Sequence, residues 1–147
     1  MGARTGWVRW DRGGRAMALL RNVRVLLGVD AAVCAVGAAG LLLAADVLAP
    51  ATGLPEGLLR GAGWVLVPWV AFLAWCASRA APPRRAVLAV VVLNLLWAAD
   101  SVLLLALGWV SPNGAGVALV LVQAAMGAGI AVLQALALPP AQRLQRA

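Results

Sequence analysis

Three aspartates stand inside otherwise apolar stretches: Asp30, Asp46 and Asp100. A central Asp in hydrocarbon costs on the order of 2.5–3.5 kcal/mol on insertion scales, so each needs a partner, a cavity or an interfacial position. The densest polar group surrounds Asp100, in the segment Asn94-Leu95-Leu96-Trp97-Ala98-Ala99-Asp100-Ser101. At helical periodicity Asn94, Trp97, Asp100 and Ser101 share one sector about 120° wide. Gln123 lies in the following apolar run, and both it and Asp100 are expected ~12–14 Å from the same membrane face. Two roles fit these residues. One is a proton or cation site lined by Asp100, Asn94, Trp97, Ser101 and Gln123; the other is a polar clamp, with an Asp100–Gln123 hydrogen bond fixing the register of two helices.

Asp30 is a secondary candidate, six residues past Arg24 and so ~9 Å along a helix from the inner boundary. An arginine from a neighbouring loop, or water, could meet it there. Asp46 lies near the end of the same run, and Arg60 opens the next one across a short hairpin. The simplest expectation is an interfacial Asp46–Arg60 pair with Glu56 as competitor, structural in role and typically under about 1 kcal/mol at the headgroups. Catalysis has little to use. The chain has no histidine and two cysteines, Cys34 and Cys76, with no C-x-x-C. It also lacks a glycine-rich phosphate loop and a close carboxylate pair, so no catalytic residue, metal or cofactor is expected.

The elements that must position these residues are four long apolar runs: 25–49, 61–78, 86–110 and 115–138. A spanning helix needs ~20 predominantly apolar residues, and helix is the state that pairs its own backbone in lipid. Pro50, Gly53 and Pro55, then Pro82-Pro83, then Ser111-Pro112-Asn113-Gly114, and finally Pro139-Pro140 punctuate the runs. Connections this short turn each helix back on its predecessor. The expected fold is an all-α transmembrane up-down four-helix bundle. A basic segment (1–24) precedes it and a short basic tail (139–147) follows.

Arginine counting sets the expected orientation. All twelve basic residues are arginine. Arg4, Arg9, Arg12, Arg15, Arg21, Arg24, Arg79, Arg84, Arg85, Arg143 and Arg146 fall on one side, and Arg60 alone on the other. Both termini should therefore be cytoplasmic, with the protein in the inner (plasma) membrane. The first run is too long for a signal-peptide core and is interrupted by Asp30, so it should be retained. Val33 before Cys34 excludes a lipoprotein site. Met17 is an alternative start, since residues 17–24 already provide a basic flank.

Composition agrees with lipid as the solvent. Of 147 residues, 64% are hydrophobic and 12% charged, and the mean hydropathy is +0.94. A soluble domain is nearer 45–50% apolar and about 25% charged. The net charge of +7 does not imply nucleic-acid binding, because the arginines flank the runs and form no folded polar face. The basic, Trp-bearing start could instead lie on the anionic inner leaflet. Trp64 and Trp109 fit one aromatic belt and Trp75 the other, leaving Trp69 and Trp97 at depth. Pro68 should kink the second helix at the carbonyl of Trp64. Small-residue stripes at Gly28, Ala32, Gly40 and Ala44, and at Gln123, Gly127, Ala131 and Ala135, read as packing seams.

In size, short loops and inner termini the chain resembles the small multidrug-resistance transporters, antiparallel dimers that exchange protons for cations at a first-helix glutamate. The likeness is architectural: the first helix here offers Asp30 and no glutamate. From Leu58 to Gln134, with Leu-Leu-Arg-Gly-Ala-Gly-Trp, Asn94-x-x-Trp97-x-x-Asp100-Ser101 and Gln123-Ala124, the chain resembles small uncharacterised four-helix bacterial integral membrane proteins. That resemblance implies an architecture and no mechanism. The expected role is non-enzymatic association within the bilayer, with itself or another subunit. The alternative is a small proton- or cation-coupled transporter using Asp100 or Asp30.

Overall fold

A computed structural model describes residues 22–138. Most of the basic N-terminal segment, the alternative start at Met17 and the 139–147 tail with Pro139-Pro140 lie outside the described residues. Those described form five helices and no strand: α1 Val23–Leu43, α2 Ala45–Thr52, α3 Glu56–Ser78, α4 Arg84–Ala106 and α5 Gly114–Ala137. Helices α1, α3, α4 and α5 are long and apolar enough to cross a membrane.

Local chemistry sets the helix starts. Asn22 Oδ1 accepts from the Arg24 amide at 3.1 Å, and Asn113 Oδ1 accepts from the Gly116 amide at 3.0 Å. Both are side-chain N-caps. Pro55 and Pro83, each with φ −59, cap α3 and α4, so both helices begin ahead of the apolar runs predicted to contain them. A polar residue ends an apolar run without ending the backbone ladder.

Two breaks depart from the apolar runs. The first run divides at Ala44 (φ −125, ψ 20), which separates α1 from α2. There the carbonyl of Leu42 accepts from Arg60 Nη1 at 3.1 Å in place of a helical amide. The third run ends early because Gly108 has φ +65, a left-handed conformation that glycine adopts without penalty and that stops a helix. Pro68 lies within α3, which continues through it as one helix.

Packing is densest between α1 and α3 and between α4 and α5, with α1 also meeting α5. One apolar core joins Leu27 and Ala31 of α1, Leu73 and Cys76 of α3, and Val87 and Val90 of α4, with Leu138 packed against it. At that end Arg24 Nε donates to the carbonyl of Ala77 at 3.3 Å. A second core at the other end gathers Ala45, Leu54, Leu59 and Val120, with Leu41, Leu105 and Val110 around them. The start of α1, the end of α3 and the start of α4 therefore meet at one end. The end of α1, the start of α3 and the start of α5 meet at the other.

The outside of these helices is apolar: Val36, Leu43 and Leu136 are each at least 75% exposed, as side chains solvated by acyl chains should be. Trp64 and Trp109 are also outside, and Trp75 lies beneath the Arg79 guanidinium, 4.7 Å from its ring centroid. The first small-residue stripe is no seam, since a Cβ on Gly28 or Gly40 would meet nothing. The residues of α1 that are buried are Leu26, Leu27, Asp30, Ala31 and Ala38. The second stripe contributes Ala131, fully buried, whereas Gly127 faces open space.

Candidate functional site: two separate intramembrane polar groups

The polar sector of α4 divides. Asn94 faces α1, Trp97 and Ser101 face α5, and Asp100 points away from all of them. A sector 120° wide on a helix with two neighbours is broad enough to serve both and leave its edge uncovered.

The first group is centred on Asp30, which is 2% exposed. Asn94 Nδ2 donates to Asp30 Oδ2 at 2.7 Å, and Gln134 Nε2 donates to the same oxygen at 3.0 Å. Cys34 Sγ, one turn further along α1, donates to Asp30 Oδ1 at 3.6 Å. Three helices thus converge on one carboxylate, ~10 Å along α1 from its start. The donors are all neutral, and among the described residues the one ion pair is Arg60–Glu56. Gln134 is fully buried, and its Oε1 has no hydrogen-bond partner among the described residues. Buried polar atoms are nearly always paired, so this orphan requires an explanation.

The second group is a closed chain between α4 and α5. Trp97 Nε1 donates to Gln123 Oε1 at 2.7 Å. Gln123 Nε2 donates to Ser101 Oγ at 2.8 Å, and Ser101 Oγ donates to the Trp97 carbonyl at 2.7 Å. This arrangement is a register clamp, with Trp97 and Ser101 rather than Asp100 as the partners of Gln123. Asp100 is exposed on the outer side of α4, six residues before the end of that helix. The expected Asp100–Gln123 hydrogen bond is replaced because the indole N–H and the hydroxyl face α5 and the carboxylate does not.

The expected Asp46–Arg60 pair is also corrected. Arg60 Nε donates to Glu56 Oε1 at 2.7 Å, one turn back on the same helix. The rest of the guanidinium reaches the Leu42 carbonyl. The break at Ala44 moves Asp46 into the first turn of α2, where a carboxylate complements the helix dipole. Both members of the Arg60–Glu56 pair are nearly half exposed, so its contribution is small.

Cys34 and Cys76 are free thiols. No group of His, Cys, Asp or Glu among the described residues could hold a metal through three such side chains. Sequence reasoning missed Gln134 and Asn113. Gln134 lies eleven residues after Gln123, three helical turns, so the two amides share a face of α5; that spacing was the available signal. Asn113 ties the start of α5 to the end of α2, its backbone N–H donating to Thr52 O at 3.0 Å and its Nδ2 to Ala51 O at 2.9 Å. No family model, curated protein or solved structure matches the chain.

Proposed function

We propose that this is a non-enzymatic, multi-pass protein of the inner membrane that acts by associating with a second copy of itself through the outer face of α4. The helices then form an up-down bundle with both termini cytoplasmic, and the lipid bilayer is its other partner. The observation that carries the reading is Asp100, placed outward in a helix otherwise suited to lipid.

Leu93, Leu96, Asp100, Leu103 and Leu107 follow one another at alternating intervals of three and four. That spacing is the a/d pattern of a helix–helix seam, and one polar residue in such a seam specifies register. The four leucines are 47%, 52%, 48% and 56% exposed. Lipid can cover leucine, but it offers a carboxyl group no hydrogen-bonding partner. The same seam on a second copy does, because a two-fold axis brings Asp100 to its counterpart, where a proton on one carboxyl group is donated to the other.

Cysteine scanning in membranes tests this, in a chain whose Cys34 and Cys76 have been replaced by alanine. Leu96→Cys and Leu103→Cys should cross-link to a second copy. Leu95→Cys and Val102→Cys, also exposed but off the seam, should not. Asp100→Leu should weaken the dimer by about 1 kcal/mol, the scale of one polar contact between spanning helices. Cross-linking without this periodicity, or none at all, removes the proposal.

Ion-coupled transport is a second reading. What favours it is the enclosed carboxylate of Asp30, and the outward placement of Asp100 takes that residue out of it. Its first requirement is an ion held at Asp30.

A further inference from the structure

Two atoms in the Asp30 group lack what their chemistry demands, and they belong to side chains in contact. The Asp30 carboxylate is enclosed by apolar helices and held by three neutral donors, with no cation paired to it among the described residues. Gln134 Oε1, on the amide that donates to Asp30, is a buried acceptor with nothing to accept from. Both deficits have the same sign. Each is an oxygen with lone pairs to spare, and among the described residues neither is paired with a positive charge.

A proton on the carboxyl would answer one deficit and leave the other. If Asp30 carried a hydrogen on Oδ2, it would need an acceptor where Asn94 and Gln134 now direct N–H groups. Turning the Gln134 amide round supplies that acceptor but sends Nε2 to the orphaned position, exchanging a stranded acceptor for a stranded donor. A metal cation answers both deficits together, by taking one carboxylate oxygen and the amide oxygen as ligands while the N–H donors stay in place. Hard oxygen ligands suit a cation that needs no nitrogen or thiolate. A single carboxylate balances one positive charge, whereas a divalent ion would leave an uncompensated charge in the bundle.

We propose that Asp30 and Gln134, braced by Asn94, form a binding site for a small monovalent metal cation, with Na⁺ as the probe. Asp30 supplies the charge, Gln134 Oε1 a neutral ligand, and Asn94 Nδ2 orients the carboxylate as a positioning group. The titratable neighbours are Cys34 on α1 and Cys76 on α3, in the adjoining core. Asn94 on α4 and Gln134 on α5 carry no charge. The site is distinct from the α4 seam, so cation binding and self-association can fail independently.

The test uses the full chain in nanodiscs, with NaCl compared against choline chloride at equal ionic strength. A cation that binds the folded state raises its unfolding midpoint as concentration increases. Na⁺ should raise the midpoint read from tryptophan fluorescence, and choline should not. Asp30→Asn should abolish the Na⁺ dependence. Gln134→Met keeps the side chain's length and loses the oxygen, and should weaken apparent Na⁺ affinity by at least about 10-fold, since even a group that only supports a ligand typically costs a metal site that much. Should Asp30→Asn fail to fold, ²³Na line broadening by the unmodified chain, reversed by excess Li⁺ and reduced in Gln134→Met, supports the site. Equal midpoints in Na⁺ and choline would overturn it in favour of an enclosed water. A midpoint that depends on pH through Asp30 but not on Na⁺ would overturn it in favour of a proton site.

Discussion

A carboxylate, an amide and an indole embedded among alanines and leucines are defined by what they can donate and accept, and the two polar groups differ in how well those capacities match. In the Trp97–Gln123–Ser101 chain every bond has a partner of the right sense. Gln123→Leu preserves the packing but strands the Trp97 N–H. It should destabilise the fold by about 1–2 kcal/mol, since hydrogen bonds between spanning helices are modest and an orphaned donor costs about 1–3 kcal/mol. Unfolding in a graded SDS titration measures the loss, and Trp97 emission should shift as its ring loses the bond; an unchanged midpoint would remove the clamp. The sequence made this group legible because Trp97 and Ser101 are four residues apart, one turn, and thus share a face. It did not reveal the partners of Asp30, because Asn94 and Gln134 are 64 and 104 residues away. Such partners are chosen by how α1 seats against α4 and α5, which no local spacing encodes.

Among elements, the long apolar runs were legible because lipid permits few solutions: a run of that length must pair its own backbone. The breaks were less so, since they depend on backbone conformation at single residues. Gly108 could be read as a stop only once its positive φ was seen, and Ala44 has no residue-type signature at all. The loops at the second core depend on close approach. A Cβ on Gly116 would collide with the carbonyl oxygen of Thr52, and one on Gly53, itself at φ +70, would lie 2.9 Å from the Asn113 amide nitrogen. Gly116→Ala should therefore cost about 1–3 kcal/mol, the range for forcing extra volume into a packed site. Gly63→Ala should cost less. There the closest atoms are Leu42 Cγ and Cδ2, a branch that can turn aside, and Leu41 Cβ, which must give by a few tenths of an ångström, whereas Thr52 presents backbone. Gly28→Ala, with nothing within 4 Å, is the neutral control. Equal unfolding midpoints for Gly116→Ala and Gly28→Ala would show that the end of α2 and the start of α5 are not in contact.

For the whole molecule, two independent features together constrain the direction in which it threads the bilayer. The core at the start of α1 joins the end of α3 and the start of α4. Whichever compartment receives Arg24 therefore also receives the Arg79–Arg85 connection. Arg24, Arg79, Arg84 and Arg85 lie at that end, and Arg60 lies at the other. Short flanking segments rich in arginine stay on the cytoplasmic side because moving them across opposes the membrane potential and the insertion machinery. Compartment-specific reporters at the N-terminus, at Ala81 and at the C-terminus should all report cytoplasm, while one at Asn113 should report the opposite face. The arginines, not the order of the helices, should govern this outcome. Moving the charge, by replacing Arg79, Arg84 and Arg85 with alanine and placing three arginines at Ser111, Pro112 and Asn113, should produce a mixed or inverted population. If the reporter at Asn113 still gives one uniform answer after that exchange, charge asymmetry is not what orients the bundle. If the two termini of the unaltered chain report different faces, an even number of crossings is ruled out, and with it the four-span topology.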